Sequence, residues 1–213
     1  MILSRHNLNS FILIQSIFSL FIVALMFGER FLGYDVSLIE NVKPNPESFY
    51  LLVITIGMFL GRCQQQPFLV VRLQHRSRIF WHDFFNILVY ALATSLIYWM
   101  IIGITVSNCT LPSLLIDAFL FALNGCLIGT VLFTLVYAFP NGSILPLLIC
   151  LVLIIVVCFA RVFASPYMNN GYNLFIAQSW FKGGFGSKTV GCLLLIFAFN
   201  YFNSELARKI EVY

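Results

Sequence analysis

The residues that could hold a metal or act as nucleophiles are few, and their spacing excludes most of that chemistry. The six cysteines are Cys63, Cys109, Cys126, Cys150, Cys158 and Cys192. None forms a CxxC pair, and most fall within long apolar runs, where a thiol serves as a small packing residue. Neither a zinc site nor a disulfide framework is expected from them. The three histidines, His6, His75 and His82, lie outside the apolar runs, and no HExxH occurs. There is no GxxxxGK[ST] to cradle nucleotide phosphates. "GFGSK" at 184–188 places its serine in the wrong frame for a nucleophile elbow. Asn108, Cys109 and Thr110 match a glycosylation acceptor, a triplet too short to carry weight alone. The chain reads as a non-enzyme with no catalytic, cofactor-binding or metal-binding residues.

Two sets of charged residues remain. The first is the stretch "RCQQQPFLVVRLQHRSRIFWHDFFN", Arg62 to Asn86, which holds Arg62, Arg72, Arg76 and Arg78 out of twelve Lys and Arg. Pro67 is a good first helical residue. Beyond it, Phe68, Leu69, Val71, Leu73, Ile79 and Phe80 alternate with the arginines. That pattern suits an amphipathic helix or elbow lying on a membrane face. It serves either as a topology anchor, with arginines and Trp81 at the interface, or as a docking element for anionic lipid or a protein. The second set is Asp117 and Arg161, each inside an apolar run. A charge at bilayer depth costs about 2.5–3.5 kcal/mol on insertion scales, so such groups pair or face water. At 1.5 Å per residue both fall at similar depth on consecutive antiparallel helices, and a salt bridge is expected.

What must position these residues is membrane. Of 213 residues, 61% are hydrophobic and only 9% charged, against roughly 25% charged in soluble domains; mean hydropathy is +0.95. About 20 apolar residues span a bilayer as a helix. Continuous apolar runs, rather than the alternation of a membrane barrel, predict six spans: 10–28, 47–61, 84–106, 114–139, 143–164 and 190–205. They form one all-α transmembrane domain, 1–213. The first run is longer than a signal-peptide core and lacks a small-x-small site, so a retained anchor is expected. With the N-terminus in the cytoplasm, the inner segments hold Arg5, Arg62, Arg72, Arg76, Arg78, Arg208 and Lys209. The outer ones hold Arg30, Lys43, Lys182 and Lys188. The positive-inside rule thus puts both termini and the amphipathic 62–83 loop in the cytoplasm.

In layout the chain resembles a small six-helix permease subunit of a bacterial type-2 ABC transporter, of the peptide or lantibiotic export or immunity kind. The resemblance rests on Arg72, Leu73, Arg76, Arg78 and Trp81 between helices two and three, and on the long outer segment Ser165 to Lys188. It implies a multi-pass protein of the bacterial plasma membrane. A separate ABC ATPase subunit would dock on Arg72, Arg76, Arg78, Phe80 and Trp81, and a second permease chain, identical or homologous, would complete the path. Substrates would be amphiphilic peptides or lipid-like molecules, and no nucleic acid is implied. Two other readings stay open: a six-helix solute-binding subunit of a vitamin-type uptake transporter, and an accessory membrane protein without an ATPase partner.

Overall fold

The computed structural model describes residues 12–21, 23–24, 44–61, 76–105, 111–139, 144–163 and 185–209. They form six helical segments: α1 (Ile12–Phe21), α2 (Pro44–Leu60), α3 (Arg76–Thr105), α4 (Leu111–Ala138), α5 (Leu145–Phe163) and α6 (Phe185–Lys209). No strand occurs among the described residues.

Proline sets where several of these helices begin. Pro44 and Pro46 lie in the first turn of α2, Pro112 in that of α4 and Pro146 in that of α5. A first-turn N–H has no helical acceptor, so a residue without one loses nothing there, and its fixed φ suits the helix. Pro140 follows the end of α4 and disfavours helical geometry at Phe139. In contrast, α3 carries neither Pro nor Gly from Arg76 to Ile102 and runs unbroken for 30 residues. The helix thus begins eight residues before the third expected span, 84–106: residues 76–83, assigned to the cytoplasmic loop, are its first two turns. Nothing in their sequence breaks the helix, and a polar face does not end one.

Among the described residues, three helices are long and apolar enough to cross a membrane: Ile79–Ile101 in α3, Leu114–Ala138 in α4 and Thr189–Ala207 in α6. The other three have shorter apolar stretches among the described residues, Ile12–Phe21, Tyr50–Leu60 and Leu145–Val156. The outward faces agree with a lipid solvent. Along α3, Phe85, Val89, Leu92, Leu96, Met100 and Ile104 form one exposed stripe, and on α6 Val190, Leu194, Phe197 and Tyr201 do the same. Apolar patches of that size are uncommon on soluble monomers. The described residues are helical throughout, and their apolar helices are those of a membrane protein.

Helix α4 is the hub. It packs against α2, α3, α5 and α6, most extensively against α3. Paired contacts fix the helix directions. Gln15 Nε2 donates to Thr94 Oγ1, and Phe18 meets Tyr98, so α1 runs parallel to α3. Asp83 meets Tyr137 while Ser95 meets Ala118, so α3 and α4 are antiparallel. Tyr50 reaches Ala91 while Asn86 reaches Met58, so α2 also opposes α3. Cys192 reaches Leu123 and Asn203 reaches Thr130, which makes α6 parallel to α4. One end of the bundle thus collects the ends of α2, α4 and α6 and the starts of α1 and α3. The short 139–144 link brings the start of α5 to the same end.

Two glycine pairs allow the close approach of α2, α3 and α4. Gly57 and Gly61 lie on α2 and its terminal turn, and Gly125 and Gly129 lie on α4. A Cβ on Gly57 would sit 2.5 Å from Cε1 of the buried Tyr90 ring, and one on Gly125 would sit 2.7 Å from the Tyr50 hydroxyl. Lipid gives little hydrophobic drive between helices, so close backbone packing through small-xxx-small seams supplies the association.

Candidate functional site

The end of the bundle where α3 begins brings together the polar side chains with the most specific geometry. Asp83, buried at 2% exposure, accepts a 2.8 Å hydrogen bond at Oδ2 from the Tyr137 hydroxyl of α4. His82 Nδ1 lies 3.4 Å from the other carboxyl oxygen. One turn further along α3, Asn86 Nδ2 donates to the Met58 carbonyl of α2 at 3.2 Å. Its amide stacks on the bare backbone of Gly61, where a Cβ would come within 2.8 Å. The carbonyl acceptor dictates that the NH2 faces Met58, which leaves Asn86 Oδ1 without a hydrogen-bond partner among the described residues. From α6, Asn203 Nδ2 donates to the Thr130 carbonyl at 3.0 Å. Asp83 and Asn86 thus tie α3 to α4 and α2, and Asn203 ties α6 to α4. Each burial is offset by a hydrogen bond that lipid could not supply.

The opposite half of the bundle is aromatic. Tyr98 stacks on Phe121 with ring centroids 5.1 Å apart, Trp99 meets Phe121 edge-on at 5.3 Å, and Tyr50 packs on Phe121 at 5.2 Å. The Tyr50 hydroxyl donates to the Phe121 carbonyl at 2.9 Å. Between the two halves, Gln15 Nε2 donates to Thr94, whose hydroxyl donates to the Tyr90 carbonyl at 2.6 Å.

No family model, curated protein or solved structure matches this chain.

The residues singled out from the sequence fare unevenly. Arg72 and the expected helix start at Pro67 lie outside the described residues, as does the outer segment 165–184. Arg76 and Arg78 occupy the first turn of α3, though their side chains lie outside the described residues. Phe80 is partly buried and packs against the core. Trp81 is exposed, with its ring edge-on to Phe80 at 5.6 Å and to Phe84 at 5.8 Å. Asp117 and Arg161 lie on α4 and α5 as expected, and their side chains lie outside the described residues. Cys126, Cys150 and Cys192 are buried free thiols, in keeping with a packing role. No group of three or more potential metal ligands occurs among the described residues.

The polar contacts of the interior were not among the expected site residues. Gln15, Asp83, Asn86 and Asn203 are isolated polar residues within or at the ends of apolar runs, which is itself the signal. The spacing of Gly57 with Gly61 and of Gly125 with Gly129 is the GxxxG pattern of close helix contacts, also legible from the chain.

Proposed function

We propose that the chain is the permease subunit of an ATP-driven transporter in a bacterial plasma membrane, with six spans and both termini in the cytoplasm. A separate ABC ATPase docks on the basic segment 62–83. A second permease chain, identical or homologous, completes the path for an amphiphilic peptide or lipid-like substrate. One observation carries the reading. Residues 76–83 of that segment are the first turns of α3, and α3 is bonded to the hub helix α4 near its start and again past its middle, through Asp83–Tyr137 and Ser95–Ala118. A coupling element needs that stiffness, because a flexible elbow would absorb the displacement a partner imposes. Charge at such a seat sets register, and apolar contact supplies most of the affinity.

Co-purification tests it. The full chain, solubilised in mild detergent from its own membrane, should bring down a soluble ATPase that hydrolyses ATP. Arg72→Glu combined with Arg76→Glu should remove that ATPase while leaving insertion intact. Recovery of a transmembrane scaffold between chain and ATPase would indicate a solute-binding subunit instead. With no ATPase in the wild-type preparation, the transporter reading fails.

A further inference from the structure

Of the three spanning helices, α6 is the least buried, and its two asparagines differ. Asn203 is buried and donates to the Thr130 carbonyl of α4. Asn200 is only partly buried, and its amide makes no hydrogen bond among the described residues. It lies seven residues before the end of the apolar span Thr189–Ala207, about 10 Å deep at 1.5 Å per residue. Lipid offers an amide neither a donor nor an acceptor, so at that depth the loss of water goes uncompensated. Around Asn200 runs a regular seam. Val190, Leu193, Phe197, Asn200 and Ser204 alternate steps of three and four and fall within about 80° of one another around the helix. The first three are exposed and the last two partly exposed. Ser204 is satisfied within its own helix, where its hydroxyl donates to the Tyr201 carbonyl at 2.7 Å. The seam rises about 21 Å, roughly two thirds of the hydrocarbon thickness. Three-four spacing is that of a left-handed helix pair, in which a single asparagine fixes register and partner number.

We propose that the Val190–Ser204 seam of α6 is the docking surface for a second copy of this chain, with the two Asn200 amides hydrogen-bonded to each other. Copies of one chain take the same orientation in a bilayer, so the two-fold axis between them lies along the membrane normal. Two α6 helices beside that axis run parallel and in register, and each seam position meets itself. An amide is complementary to its own copy: its positive N–H end faces the negative oxygen of the other. Lipid satisfies neither end, and a soluble partner cannot reach the depth of Asn200. The dimer makes the second permease an identical chain, yet it needs only this chain and the bilayer. Absence of an ATPase from the pull-down would leave it standing, and a chain that stays single would leave the ATPase reading with a homologous second permease.

The test places the full chain, labelled at its C-terminus with a donor or an acceptor dye, in phosphatidylcholine vesicles and follows energy transfer as the protein is diluted in lipid. The wild type should associate. Asn200→Leu, which keeps the volume and suits lipid, should weaken association about tenfold, as loss of one interhelical hydrogen-bonded pair allows. Asn200→Gln should retain most of it. A second measurement leaves Asn200 in place. In a background without the native cysteines, Leu193→Cys should form a disulfide-linked dimer when the vesicles are oxidised with copper phenanthroline. Leu194→Cys should not, although Leu194 lies at nearly the same depth and is the more exposed of the two, at 64% against 47%; it points about 100° away. Equal cross-linking at the two positions would show random collision and overturn the seam. So would a wild type that stays monomeric, or an Asn200→Leu chain that associates as tightly as the wild type.

Discussion

The carboxylate of Asp83 is buried where α3 meets α4, and the Tyr137 hydroxyl is 2.8 Å from it. Removing the donor alone leaves a buried acceptor with one bond fewer, a loss of about 1–3 kcal/mol. Tyr137→Phe should therefore lower the melting temperature of the detergent-solubilised protein. Asp83→Leu combined with Tyr137→Phe should recover most of the loss, because an apolar pair leaves nothing unsatisfied. A double variant as unstable as the sum of the singles would mean that the two side chains act independently. The hydrogen bond was not legible in the sequence, although both residues were in view. Asp83 reads as the last residue of a polar loop, and Tyr137 reads as one more aromatic in an apolar run. Only the antiparallel register of α3 and α4 makes them neighbours, and no single-chain spacing encodes a partner 54 positions away.

Element boundaries follow local chemistry, and here the sequence speaks more fully. Proline marks the starts of α2, α4 and α5, which lie within a few residues of their expected places, whereas α3 and α6 start earlier than expected. At the start of α3 the charge of Arg76, Arg78, His82 and Asp83 suggests a loop, while the backbone has no reason to leave the helix. How the helices pack is written in glycines. Gly125→Ala would put a methyl 2.7 Å from the Tyr50 hydroxyl and 2.8 Å from Ile54 Cδ1. Both are side chains buried without exposure, so the crowding must be relieved by moving α2 away from α4 or by breaking the Tyr50 bond to Phe121. Overpacking of that kind costs about 1–3 kcal/mol. The expected result is a lower melting temperature. Gly186→Ala, where a Cβ would meet nothing within 4 Å, should melt like the wild type. Equal effects at the two glycines would refute the close-packed seam.

For the whole molecule, the unequal distribution of Lys and Arg predicts sidedness. The end of the bundle that collects Arg76 and Arg78 of α3 with Arg208 and Lys209 of α6 is predicted to face the cytoplasm by the positive-inside rule. In a background without the native cysteines, a cysteine at Ser77 should resist impermeant thiol reagents in intact cells, and one at Asn169 should react. The reverse pattern would refute the N-inside, six-span arrangement. The placement of α4 also has a consequence for synthesis. Tyr50, Asp83 and Ser95 belong to the second and third helices, and the α4 groups they bond are the carbonyls of Phe121 and Ala118 and the hydroxyl of Tyr137. A ribosome has delivered all of α2 and α3 before any of α4 exists. Through that interval a phenol, a carboxyl group and a hydroxyl await their α4 partners. Tyr137, the last of those partners, arrives one residue before α4 ends, so these bonds can close only once nearly the whole of α4 has been made.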